Sequence, residues 1–142
     1  MVFLSLTRLK LRSIRFLPAF AIHTTRSLSQ VKKASGFLDG SLLPERGWVF
    51  WTLTAWDSEE SMRRFMTSGA HKKAMPRLLD WCDEASVAHW TQPDAALPQW
   101  AEADRLMRTT GRASKLRHPS PQHATMSFKS PSGTASAPIR RT

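Results

Sequence analysis

The 142-residue chain has a single cysteine, Cys82, so it holds no intrachain disulfide framework and no CxxC zinc site. It has no apolar run approaching the roughly 18 residues of a membrane span. It carries no Gly-rich phosphate loop, no GxSxG nucleophile elbow and no HExxH helix, so the chemistries those motifs announce have no signature here. Acid is missing from both ends. Residues 1–33 hold seven Lys or Arg and residues 111–142 hold six, with no Asp or Glu in either stretch. Residues 34–110 hold eight basic and eleven acidic residues, so the formal charge of +10 belongs to the ends and the body is mildly acidic.

The basic ends raise the question of nucleic acid or a membrane surface. Residues 8–15 alternate basic and apolar but lack the aromatic spacing of RNA-binding sheets, and the expectation is neither partner. The C-terminal stretch is Ser-, Pro- and Thr-rich and has little apolar periodicity. It reads as a disordered basic tail, 111–142, behind one domain over 1–110. An acid-free, Arg-rich start is also the composition of an organellar transit peptide. Residues 1–35 instead fit the first two elements of a fold, and the expected location is cytoplasmic.

Hydrophobic residues make up 41% of the chain, enough for a packed core. Residues 2–11 (VFLSLTRLKL) read as a strand, with Phe3, Ser5, Thr7 and Leu9 on one face. Residues 16–34 read as a helix with Pro18 in its first turn and an apolar stripe through Leu17, Phe20, Ala21, Leu28 and Val31. Strands follow over 37–43 and 48–56, joined by the turn Pro44-Glu45-Arg46-Gly47. Asp57 with Glu60 reads as an acidic capping box opening a helix, which Thr67-Ser68-Gly69 interrupts. A second helical piece, 70–82, must kink or restart at Pro76. A last strand covers 84–92 and a short helix 98–108. The order strand, helix, strand, strand, helix, strand is the ferredoxin-like split βαβ pattern of the α+β class, with a four-stranded antiparallel sheet and its main helices on one face. The strands are apolar on both faces. A bare second face calls for a partner, and the simplest is a second copy closing a dimeric α/β barrel. A homodimer is the expectation.

TLTAWDSEESMRRFMTSGAHKKAM, residues 52–75, resembles the strand-to-helix core of the antibiotic biosynthesis monooxygenase-like domains: an apolar strand ending in Trp, an acidic capped helix start, an aromatic, then a Ser-x-x-His turn. MPRLLDWCDEASVAHW, residues 75–90, is similar to a small, uncharacterised bacterial subgroup of that fold, with looser similarity to spheroidene monooxygenases. The resemblance spans about residues 1–92. It implies a dimeric α/β barrel and one of several functions: cofactor-free oxidation of a flat hydrophobic molecule, haem-assisted oxidation, or a non-catalytic binding or stress-related role. In the haem-degrading branch a helix Trp, a His ten residues on and a first-strand Asn lie at the haem. The matching positions here are Phe65, Met75 and a residue near Thr7, none of which conforms. No cofactor is therefore the expectation, with haem as the alternative.

The candidate catalytic residues are His71, at a helix start where the dipole favours the neutral ring, and His89, in phase with Ala85 and Val87 on the last strand. Each also has a plainer role open to it, a turn cap or solvent contact for His71 and a core histidine for His89. Phe50, Trp51, Trp56, Phe65 and Met75 are the candidate walls of a ligand pocket, although Trp51 and Trp56 fall on opposite strand faces. Asp80, Asp83 and Glu84 are sequence neighbours with no His at ligand spacing, so no metal site is expected. The same carboxylates oppose a thiolate at Cys82 and argue against a nucleophile there.

Overall fold

The computed structural model describes all residues, 1–142. Strand β1 (Val2–Leu11) leads through a single 3-10 turn into helix α1 (Leu17–Lys32), then into the hairpin β2 (Phe37–Glu45) and β3 (Val49–Trp56). Helices α2 (Glu59–Met66) and α3 (Gly69–Trp81) follow, then β4 (Cys82–Gln92), α4 (Trp100–Thr110) and two short strands, β5 (Arg112–Ala113) and β6 (Ala137–Ile139). The sheet order is β5-β4-β1-β3-β2-β6, with every neighbouring pair antiparallel. The four long strands and the helices are the expected ferredoxin-like α+β core. The two short strands make a sheet of six where four were expected.

Local chemistry accounts for the element ends. Ser58, not Asp57, is the N-cap of α2: its hydroxyl accepts from the Ser61 backbone N–H at 3.2 Å. Asp57 instead accepts from the Ser61 hydroxyl at 2.6 Å, and its N–H donates to Gly36 C=O at 2.8 Å. Helix α3 runs through Pro76 rather than restarting there. Pro76 lies on the solvent side of the helix, where water can satisfy the carbonyl that its missing N–H leaves free. Gly36, in the turn after α1, has a φ of +87°. A Cβ at Gly36 would sit 2.3 Å from the Ser61 hydroxyl. Gly36→Ala is therefore expected to cost more than about 1 kcal/mol in a urea-unfolding experiment, through the left-handed backbone alone.

The two sheet faces are covered differently. Odd-numbered residues of β1 face α1, α2 and α3, and Phe3, Val31, Phe37, Trp56 and Met62 close one end of that layer. Leu11, Phe20, Trp81 and Cys82 close the other. Even-numbered residues of β1 face away from these helices. With Leu43, Trp51 and Leu53 they form the largest core cluster, against Ala103 and Met107 of α4 and Phe128. The face expected to need a second copy is thus roofed by the chain's own C-terminal third, and Leu4, Leu6, Leu43 and Trp51 are fully buried within the single protomer. The premise that called for a dimer is absent.

The segment expected as a disordered tail is the reason. Residues 111–142 pair with the sheet at both edges, as β5 against β4 and as β6 against Gly40–Leu42 of β2. Between the edges, Arg108 holds the carbonyls of Met126 and Phe128, and Ser132 binds the Glu45 carboxylate through both its N–H and its hydroxyl. His123 is buried, with Nδ1 accepting from Ala85 N–H at 3.3 Å and Nε2 donating to Ser114 C=O at 2.6 Å. A few anchors at long spacing replace the periodicity that a helix or long strand would show.

Candidate functional site

Between the sheet and its helices lies a cavity of about 330 Å³, within the range of small-molecule sites. Its position follows from residue size. Where β1, β3 and β4 cross the centre of the sheet, the helix-facing residues are Ser5, Thr7, Thr52, Thr54 and Val87, too small to reach α1 and α3. Larger side chains pack at both ends and leave the middle open. The walls are Phe20 and Leu28 of α1, Phe50 and Trp56 of β3, Met62 and Phe65 of α2, and Met75 and Leu78 of α3.

The floor carries a polar row. In the antiparallel register Thr54 lies opposite Ser5, and Ser5 lies opposite His89, so two hydroxyls and an imidazole cross three adjacent strands on one face. Thr54 Oγ1 is already engaged, accepting from Trp56 Nε1 at 2.9 Å. His89 is not: its Nε2 is buried and has no hydrogen-bond partner, while its ring packs 5.3 Å from that of Phe3. An unsatisfied buried ring nitrogen costs about 1–3 kcal/mol, which a hydrogen-bonding ligand would recover. Burial holds the His89 pKa below the ordinary histidine value, and the positive charges of Arg112 and Arg63 act in the same direction against Glu59.

His71 lines the same cavity from the roof. Its Nδ1 lies 3.2 Å from Met66 C=O and its backbone N–H donates to Gln30 Oε1 at 2.9 Å. A carbonyl only accepts, so Nδ1 carries the proton and Nε2 is the free acceptor. The ring lies 4.6 Å from that of Phe65. Burial lowers its pKa, opposed by the Met66 carbonyl. The two histidines picked from sequence thus border one space, from opposite sides.

Phe50, Trp56, Phe65 and Met75 also line it, and Trp51 does not. Trp51 points to the opposite face, where its ring meets Trp100 and Phe128. Sequence reasoning passed over Ser5, Thr7, Thr52 and Thr54, although hydroxyls recurring at every second residue on one face of two strands were there to be read. It also missed Arg112, at the rim, because the segment holding it gave no strand signal.

Phe65, Met75 and Thr7 all border the cavity and present a phenyl ring, a thioether and a hydroxyl to it. No three His, Cys, Asp or Glu side chains come together in a way that could hold a metal ion. Cys82 is buried, and burial with the nearby Asp83 charge pushes its thiol up to about 12. A neutral alkylating reagent is expected to leave it untouched in the native protein and to modify it only after unfolding, read by mass spectrometry.

These features define an α+β domain of the ferredoxin-like fold with a cavity between its sheet and its helices. The cofactor-independent oxygenase SnoaB of Streptomyces nogalater superposes with a TM-score of 0.55 at 16% identity, covering 68% of this chain and 97% of its own. A conserved protein of Methanosarcina mazei gives 0.58 at 16%, covering 66% and 94%. A Nitrosomonas europaea protein provisionally assigned as an antibiotic biosynthesis monooxygenase gives 0.57 at 12%, covering 64% and 89%. At these identities the likeness is one of fold. The chain itself belongs to DUF3291, a domain family of unknown function whose model matches residues 20–139 and so takes in most of the C-terminal segment. A comparison with curated proteins gives no match. No helix is long and apolar enough to cross a membrane.

Proposed function

We propose that this protein binds a flat, hydrophobic small molecule in the cavity between sheet and helices and oxidises it with dioxygen, without a bound cofactor. The observation that carries the reading is the unpartnered Nε2 of His89 in the polar floor of a cavity with largely apolar walls. A ring kept neutral by burial is a base at ordinary pH.

The chemistry suits an electron-rich, hydroxylated polycyclic substrate with an acidic C–H. His89 takes the proton and the substrate becomes a resonance-stabilised carbanion. That carbanion donates electrons to dioxygen, a C–O bond forms, and the resulting peroxide takes up a proton. The O–O bond then breaks with loss of the second hydrogen from the same carbon, giving a carbonyl and one water. One oxygen atom ends in the product and the other in water, so the substrate is the only reductant. The aromatic walls exclude water and orient the ring system, and Ser5 and His71 are the polar groups facing the substrate's oxygens.

The test is oxygen consumption on anthrone-type substrates with isotopically labelled dioxygen. One labelled oxygen per product carbonyl is expected, with loss of turnover in His89→Gln. Tight binding with no oxygen uptake by any such substrate would instead mark a binding module of the same fold.

A further inference from the structure

The cavity opens beside the sheet edge, and its mouth differs chemically from its interior. Met75 and Leu79 line the cavity yet are 40% and 37% exposed, so they form a lip between inside and outside together with Leu116. The two segments that form that lip, α3 and the stretch beginning with β5, carry exposed cations. Arg112 lines the cavity itself; Lys72, Lys73 and Arg77 lie elsewhere along α3, and Lys115 and Arg117 lie further along the stretch that begins with β5. All six are exposed and none makes an ion pair, whereas Arg8, Lys10, Arg12, Arg63, Arg105 and Arg108 each do. The two segments are tied together: Arg117 N–H donates to Leu79 C=O at 3.1 Å, and His118 lies 3.3 Å from Asp80. Asp80 is the acid on that helix, and Arg12 and His118 already engage it.

One of these cations belongs to the cavity as well. Arg112 lies opposite Val87 in the β4–β5 register and lines the cavity wall, on the face that also carries His89 two residues on. A guanidinium with no carboxylate partner, at the threshold of a cavity with apolar walls and next to segments whose other exposed cations are also unpaired, is suited to a carboxylate, sulfonate or phosphate.

We infer that the natural ligand is an anionic amphiphile: an apolar aromatic body occupies the cavity and a single anionic group sits at the mouth on Arg112, within the field of Lys72 and Lys115. This rests on the reading that the cavity takes an apolar molecule, and it adds the charge that the molecule must carry. A neutral ring system would fill the interior and leave the rim unused. A dianion or a nucleotide would put charge against Phe20, Phe50 and Trp56, where no cation awaits it.

A matched pair of fluorescent probes tests this, anilinonaphthalene sulfonate and its neutral counterpart phenylnaphthylamine, titrated into the full-length protein. Both are expected to bind, the sulfonate about tenfold tighter, as one charge-assisted hydrogen bond provides. That preference is expected to shrink as ionic strength rises. Arg112→Gln should abolish the preference while leaving phenylnaphthylamine binding unchanged, and Arg112→Lys should restore part of it. Because Arg112 is exposed, the fold should survive the change, and an unchanged melting temperature verifies that. Should Arg112→Gln melt early, Lys115→Gln takes its place and is expected to weaken the preference partially. Equal affinity for the two probes, or a preference indifferent to both substitutions, overturns the inference and leaves the apolar-ligand reading standing. If neither probe binds, that reading falls too.

Discussion

Replacing Glu84 by Gln is expected to cost about 3–5 kcal/mol of stability, the loss that follows when one partner of a buried ion pair is removed. The Arg8 and Glu84 side chains are 4% and 7% exposed, with Nη1 and Oε1 2.7 Å apart. Ser120 donates its hydroxyl to the second carboxylate oxygen at 2.9 Å, and the guanidinium carbon of Arg8 lies over the Phe128 ring, 4.0 Å from its centre. Arg8 Nε has no partner, so the guanidinium depends on Glu84 for most of its compensation. Glutamine keeps the shape and a hydrogen bond but leaves a buried positive charge. Two partners of the pair, Ser120 and Phe128, belong to the C-terminal segment, so its cover over the sheet should loosen first and bring forward the exchange of amides in residues 112–128. Urea unfolding measures the whole cost. The double variant Arg8→Met, Glu84→Leu should cost less than Glu84→Gln alone, because it removes both charges and refills the volume.

Glu84 also sets an acid limit. Burial by itself would raise its carboxyl, but the hydrogen bonds from Arg8 and Ser120 and the charges of Arg8 and Lys10 together hold it below the ordinary glutamate value. The unfolded state, with a value near 4.3, then binds the proton first as pH falls. The pair's contribution is complete above that value and is lost as pH drops through the lower native one. His89 acts in the same direction at higher pH. Its native pKa is lowered, so below about 6.5 the unfolded chain gains a proton that the folded one refuses. Stability is expected to decline in two stages on acidification, and Glu84→Gln should shrink the lower one.

The core of the fold was legible because its signals are periodic. VFLSLTRLKL alternates, WVFWTLTAW is β-branched and aromatic, and α1 carries one apolar stripe; these elements lie within a residue or two of where the pattern puts them. The C-terminal third was illegible for the opposite reason. Phe128 and Ile139 are the apolar plugs of a segment that otherwise carries Ser, Pro and Arg, and each is buried by a long-range contact that no local pattern announces. Reading them as tail left the Trp51 face bare, and that bare face was the ground for expecting a second protomer. The burial of Arg8 was illegible for the same reason, since its partner Glu84 lies 76 residues away in the sequence. His89 could be singled out by phase and His71 by its place at a helix start; the alternating hydroxyls were in the sequence too, but only the register sets Thr54, Ser5 and His89 side by side.

That row sets the strongest expectation about activity. His89→Gln preserves size and a hydrogen bond but removes a base, and turnover should fall by about 10²–10⁴-fold with substrate affinity little changed. His71→Gln should cost far less, because its Nδ1 is bound to the Met66 carbonyl and its ring is fixed on Phe65 as part of the wall. The pH profile separates a base from a wall. With the His89 pKa lowered by burial and by Arg112, the neutral ring persists below the ordinary histidine range. Turnover in the wild type should therefore stay level as pH falls past about 6.5 and drop only at lower values. Removing the Arg112 charge lifts one of the forces holding that pKa down, so the acid limb should move to higher pH in Arg112→Gln. A limb that stays in place in that variant, or that survives in His89→Gln, would move the base to another residue.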